Sequence, residues 1–266
     1  MMRPLIGCLL LLIAFQASAA QRVVSLAPSL TEIVIELDAA DLLVGILDGG
    51  PRPARVTGLP SVGRYGQLDI EGLLSLQPDL LLLWPGSVSA AQRDQLKRLN
   101  IPTYTAEPHT LKELADQIEQ MGERLGRADR GRQAANDFRQ RLAALRERYR
   151  RDVPLKVFYQ VWDQPLYTVG GGQIISDALT VCGARNVFDD LTLPAPQVSL
   201  ESVLQRDPDV ILASDAALLP AWKTWSQLMA VKASRLFAVP DKGLERASGQ
   251  MVGAVAKLCR VMAPDR

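Results

Sequence analysis

Few side chains in this sequence are able to do covalent or metal chemistry. His109 is the one imidazole, so nothing supports a zinc or manganese centre, which needs several histidine and carboxylate ligands, and no metal ligands are assigned. It follows Pro108 and is expected on an exposed turn. Ser61, in Gly58-Leu59-Pro60-Ser61-Val62-Gly63, is the best nucleophile candidate. A nucleophile elbow requires glycine two residues before the serine, and Leu59 stands there. With one histidine and no triad order, a secreted serine hydrolase is the weaker alternative of a different class, and no enzyme is expected. Gly170-Gly171-Gly172 lacks the lysine of a phosphate loop and the spacing of a dinucleotide fingerprint, which leaves a tight turn.

The three thiols are Cys8, Cys182 and Cys259. Cys8 falls inside the first nineteen residues, where Arg3, an apolar run from Leu5 to Phe15 and the small residues Ala17-Ser18-Ala19 have the layout of a removable signal peptide. Leu5-Ile6-Gly7-Cys8 has the look of a lipobox, but its apolar core follows the cysteine instead of preceding it. Cleavage after Ala19 leaves Cys182 and Cys259, without metal-ligand spacing, in an oxidising compartment where two cysteines are more often paired than free. It also removes Arg3, so 29 basic residues face 29 acidic ones, a balance that argues against nucleic acid and anionic membrane surfaces.

Strand and helix signals alternate along the mature chain. Arg22 to Leu26 reads as a first strand, and Ser29 with Glu32 three residues on has a capping-box pattern opening a helix toward Leu37. Asp79 to Trp84, between Pro78 and Pro85, is a continuous apolar run of the kind that forms a buried parallel strand. Ile101 to Thr105 and Leu111 to Leu125 give a further strand and helix, and the alternation implies an α/β architecture. From Ala128 to Arg151 there is no proline and one glycine, Gly131. Ala134, Ala135, Phe138, Leu142, Leu145 and Tyr149 form one apolar stripe on a long helix. Its arginines are spread around the helix and read as a solvated face. Strand-rich sequence resumes after Pro154.

An internal echo flanks that helix. Glu71-Gly72-Leu73-Leu74-Ser75-Leu76-Gln77-Pro78-Asp79-Leu80 is answered by Glu201-Ser202-Val203-Leu204-Gln205-Arg206-Asp207-Pro208-Asp209-Val210, each glutamate seven residues before its proline. Each unit reads as a short helix, a Pro-Asp stop and a buried strand. The expected organisation is therefore a signal peptide at 1–19, an N-terminal lobe at 20–126, a connecting helix at 127–153 and a C-terminal lobe at 154–266. The two α/β lobes are similar, with mainly parallel sheets joined by one long helix.

The segment Arg22-Val23-Val24-Ser25-Leu26-Ala27-Pro28-Ser29-Leu30-Thr31-Glu32 resembles the start of periplasmic binding proteins with a helical backbone, a family that carries cobalamin, ferric siderophores or haem to ABC importers. Val181-Cys182-Gly183, Pro196-Gln197-Val198-Ser199, Glu245-Arg246-Ala247-Ser248 and Leu258-Cys259 extend the likeness over the mature chain, on the side of the corrinoid carriers. The resemblance implies a monomer in the periplasm that holds cobalamin or a related corrinoid between its lobes, as transported ligand and not as cofactor. It further implies delivery to an ABC permease dimer in the inner membrane. A ferric-siderophore or haem carrier of the same family is the alternative.

By that resemblance Pro28, Tyr65, Trp84 and Tyr167 face the ligand, Asp241 and Arg246 lie near its polar edge, and Cys182 pairs with Cys259. Glu71 and Glu201 match glutamates that meet arginines of the permease dimer. Two departures stand out: Asp48-Gly49-Gly50 has no ring where the corrinoid carriers have an aromatic residue, and Ala195 replaces a tryptophan. Trp162 is extra and is counted with the ligand-facing residues as a compensating ring. A long helix between lobes is stiffer than paired crossing strands, which implies a small hinge motion and a largely preformed cleft.

Overall fold

A computed structural model describes residues 20–263, so the expected signal peptide lies outside the described residues. The first half runs β1 (Val23–Ser25), α1 (Pro28–Glu36), β2 (Leu43–Asp48), β3 (Ser61–Arg64), β4 (Gln67–Leu68), α2 (Ile70–Ser75), β5 (Leu80–Leu83), α3 (Ala90–Arg98), β6 (Thr103–Thr105) and α4 (Leu111–Arg124). The long helix α5 (Ala128–Arg148) follows. The second half runs β7 (Leu155–Asp163), β8 (Leu166–Thr168), α6 (Ile174–Val181), β9 (Ala184–Asn186), α7 (Leu200–Arg206), β10 (Val210–Ala213), α8 (Met229–Lys232), β11 (Leu236–Ala238) and α9 (Met251–Met262). Residues before α5 supply a six-stranded sheet of order β4-β3-β2-β1-β5-β6, and residues after it a five-stranded one of order β11-β10-β7-β8 with β9 also on β7. Among the named strands of the described residues, β3–β4 and β7–β8 pair antiparallel and the rest parallel. The chain is an α/β protein of two mainly parallel sheets.

Both sheets are covered on both faces, which is why β5 and β10 are apolar throughout instead of alternating. Successive residues point to opposite faces: Val23, Leu82, Val157 and Leu212 enter one cluster, Val24 and Leu81 a second, and Phe158 and Ile211 a third. The first cluster belongs to both sheets at once, running through α1, α4, α5, α6 and α9. The second and third cover the outer faces of the two lobes.

Helix α5 packs mainly along α4 and also touches α6 and α9 of the second half. Gly131 marks the crossing of α4 and α5: a Cβ added there would lie 2.9 Å from the Cα of Gly122, and one on Gly122 would lie 2.7 Å from the Cα of Gly131. Glycine costs a helix about 1 kcal/mol relative to alanine, so here close approach outweighs propensity. Gly131→Ala should therefore destabilise the protein, by about 1–3 kcal/mol as an overpacking change. Urea denaturation checks the sign; a gain in stability would show that the helices part freely.

The sequence echo is reproduced in backbone detail. Asp69 caps α2 through Gly72 N–H at 2.9 Å, and Ser199 caps α7 through Ser202 N–H at 3.1 Å. Each helix ends near a residue with positive φ, Gln77 at 46° and Asp207 at 42°. Asp79 then accepts from the backbone N–H of Gln21 and Arg22, and Asp209 from that of Lys156, pinning the start of each lobe's first strand. The Arg22 guanidinium and the Lys156 ammonium return to carbonyls at the ends of these helices, Leu76 and Arg206. One correction concerns α1. Its N-cap is Ala27 and its first residue Pro28, so Ser29 lies within the first turn and caps nothing. True capping boxes form at Ser89–Gln92 and Thr110–Glu113.

Candidate ligand site

In open α/β sheets the crevice forms beyond the carboxyl ends of strands, where the strand order reverses. In the first sheet that point lies between β1 and β5. Pro28 follows β1 and Trp84 follows β5, and both line a cavity of about 680 Å3 between the two halves of the chain. The second half closes it with Gln173 and Ile174 at the start of α6 and with the turn Lys242–Ala247 after β11.

The aromatic wall is formed by Tyr65 and Trp84. Their rings meet edge to face, centroids 6.0 Å apart and planes at 89°, and each is left 46 % and 37 % exposed, which is unusual for large rings outside a binding surface. Ser87 locks the Trp84 backbone by donating from its hydroxyl to the Trp84 carbonyl at 2.7 Å. Gly49 accounts for the missing ring of its loop: a Cβ there would fall 2.6 Å from both Pro28 and the Tyr65 ring, so Tyr65 already occupies that space. Burial pushes the Tyr65 phenol up, with Arg246 opposing the shift.

The polar wall is the turn after β11. Asp241 is not in the lining. Its carboxylate accepts from Gly243 N–H at 2.8 Å and pairs with Lys257, and Lys257 first, then Gly243, holds it below the usual carboxylate range. Asp241 thus shapes the turn that carries Lys242, Glu245 and Arg246 into the cavity. Lys242 donates to the Ser214 carbonyl at the end of β10, 2.6 Å away. Tyr159 lies beneath, its hydroxyl 3.4 Å from Glu245 and its phenol pushed well up by burial.

Trp162 and Tyr167 also lie off the cavity lining. They face each other across the β7–β8 hairpin, with Trp162 58 % exposed. β7 runs parallel to β10, so the hairpin stands at the same sheet margin as Ser214 and Lys242. The sequence reading therefore placed four of its seven ligand-facing residues, Pro28, Tyr65, Trp84 and Arg246, in one cavity. It did not single out Lys242, Gln117 or Gln173, which no motif marks, and it quoted Glu245 only as part of the motif that carries Arg246.

The two halves grip each other on both flanks of the cavity. On one, Glu32 of α1 accepts from the Arg246 guanidinium and from the Ser248 hydroxyl, and Glu36, one turn on, accepts from Gly249 N–H at 2.9 Å. On the other, Asp177 of α6 accepts from Leu111 N–H at 2.8 Å, and the exposed His109 ring meets the Gly172 carbonyl at 3.0 Å. Desolvation raises the Glu36 carboxyl to about 7, the neighbouring Glu32 adding to the shift and the Gly249 bond opposing it. The folded state therefore holds a proton here that the unfolded state releases near 4.5, and this group's stability contribution is complete below about pH 4.5 and lost as pH rises through 7. Glu36→Gln keeps an acceptor for Gly249 and removes the charge. It should raise stability at pH 8 by on the order of 2 kcal/mol, with the gain vanishing near pH 5. Urea midpoints at the two pH values measure this, and an equal effect at both would contradict it.

These features, two parallel α/β sheets on either side of one long helix with a ligand cavity between them, define a two-lobed solute-binding protein. Residues 23–242 match the family described as periplasmic binding protein, and the chain belongs to it. A vitamin B12-binding protein of Vibrio cholerae is 34 % identical over 243 residues, covering 90 % of this chain and 88 % of that protein. The crystal structure of the periplasmic vitamin B12 binding protein BtuF of Vibrio cholerae superposes with a TM-score of 0.83 at 33 % identity, over 93 % of this chain and 99 % of that one. The periplasmic heme binding protein HutB of Vibrio cholerae shares the fold, with a TM-score of 0.78 at 22 % identity, over 92 % of this chain and 99 % of that one.

Proposed function

We propose that this protein is a periplasmic carrier, without catalytic activity, that captures cobalamin or a related corrinoid between its lobes and hands it to an ABC permease. The observation that carries the ligand assignment is the Tyr65–Trp84 wall facing a charged turn across a preformed cavity. Broad flat macrocycles bury much area on such rings at little cost in rotamer freedom, while Arg246 and Lys242 serve the polar periphery. Vitamin B12-binding relatives at 34 % identity support the same reading. Trp162, Tyr167 and Asp241 then act from the margin, the first two as rings beside the cleft and the third by shaping the turn. No described helix is long and apolar enough to cross a membrane.

Delivery as a monomer to a permease dimer is supported by the exposed acids of the echo. Glu71 and Glu201 each occupy the first turn of a short helix that returns, through Pro-Asp, into a strand ending at the cleft. The helix N-termini therefore lie at the cleft-side margin of each lobe, where one flat partner can reach both. Titration with cyanocobalamin, haemin and a ferric siderophore, followed by calorimetry and native mass spectrometry, tests the ligand. One-to-one cyanocobalamin binding with quenched tryptophan emission is expected; heat from a siderophore alone would overturn the corrinoid assignment.

A further inference from the structure

We propose that Gln117 is a recognition residue of the cleft, pairing its side-chain amide with a carbonyl oxygen of the ligand's uncharged carboxamide groups. This rests on the corrinoid reading and deepens it. Gln117 lies on α4 and lines the cavity, yet it is 5 % exposed and its Nε2 donor has no hydrogen-bond partner among the described residues. Other buried amides are engaged: Gln160 accepts from the Trp222 indole at 2.7 Å, and Asn186 donates to the Val169 carbonyl and the Ser176 hydroxyl.

Position sharpens the contrast. Leu114, Ile118 and Met121 are fully packed core on the same stripe of α4, so an apolar residue at 117 would complete it. A buried donor left unmade is costly, and a glutamine at such a position is explained when something outside the protein completes its bonds. The opposite lobe presents a second amide to the cavity, Gln173, which stands at the N-cap of α6 while its side chain does not cap the helix. An amide both donates and accepts without charge. It complements a primary carboxamide, whereas carboxylate groups are better met by guanidinium.

Two variants test this with cyanocobalamin. Gln117→Leu should leave the melting temperature of the ligand-free protein unchanged or higher while weakening affinity about tenfold, the scale of one lost hydrogen bond with an unmet partner. Gln117→Glu keeps the shape and replaces the donor by an acceptor. It should bind weakly at pH 8 and recover toward wild-type affinity at pH 5, where a protonated carboxyl can donate. Equal affinity for all three proteins would overturn the proposal. So would a fall of several degrees in the melting temperature of ligand-free Gln117→Leu, which would show an internal structural role. Wild-type protein that takes haemin, whose polar groups are carboxylates, and refuses cyanocobalamin would sink the corrinoid reading and the carboxamide partner with it, whereas cyanocobalamin binding that is the same in wild type and variants overturns Gln117 alone.

Discussion

Reversing both echo glutamates, Glu71→Arg with Glu201→Arg, should collapse ligand uptake by vesicles containing the reconstituted permease, by about tenfold or more, while leaving ligand affinity and melting temperature nearly unchanged. Both side chains are exposed and neither lines the cavity. Their helices are capped by other residues, Asp69 and Ser199, so the reversals do not remove a cap. The Glu201 carboxyl is held below the ordinary range by its own backbone N–H and the Ser199 hydroxyl. Each acid also sits at a positive helix end, and an arginine there exchanges a favourable interaction for a weakly unfavourable one that solvent screens. That small cost cannot account for lost uptake. Charges placed at matching sites on two lobes fix the register of docking more than its bulk affinity, so each single reversal should give an intermediate defect. Undiminished uptake by the double variant would leave the glutamates as ordinary first-turn acids.

Removing the Cys182–Cys259 disulfide should cost about 4 kcal/mol of stability. The bond joins the end of α6 to α9 across 77 residues, with Cα atoms 4.8 Å apart and both cysteines buried. Its loop contains β10, β11 and the Lys242–Ala247 turn, so the bridge restricts the unfolded freedom of the segment that forms the polar wall. Cys182→Ala with Cys259→Ala should lower the urea midpoint, and folded protein at low urea should still bind ligand. Thiol titration of denatured, unreduced protein should find no free cysteine among these two. A double variant as stable as the wild type would mean the crosslink constrains little.

Much of this architecture is legible in the residues because it depends on local pattern. Leu80–Leu83 and Val210–Ala213 are unbroken apolar runs, and such runs make sense only in sheets covered on both faces. The echo is legible because proline after a short helix ends it and presets the turn, and Asp79 and Asp209 do the same work in the two lobes. The site was half legible. Trp84 and Pro28 were legible through the family resemblance and line the cavity just after β5 and β1, but the lobe-to-lobe grip was hidden by an innocent local explanation. Glu32 satisfies the spacing of a capping box with Ser29, yet its partners, Arg246 and Ser248, are more than 200 residues away. Gln117 gives no signal in one dimension either, since a polar residue on an amphipathic helix is ordinarily solvated. Only its burial beside the cleft makes it conspicuous. Trp162 is the opposite case: an extra ring attracts notice in sequence, and it stands on an exposed hairpin at the cleft margin, off the cavity lining.

The apolar cluster that runs unbroken from Val23 to Ala263 also determines how the molecule comes apart. Neither half owns a complete interior, because α4, α5, α6 and α9 are packed against one another and each sheet turns one face to that common layer. Heating should therefore produce a single endotherm whose calorimetric and van't Hoff enthalpies agree, with no plateau of half-melted protein. Expressed alone, either half would present its share of the layer to water and collapse or aggregate. The gene product is inherited as one indivisible folding unit, and a nonsense codon after the long helix leaves no working fragment behind.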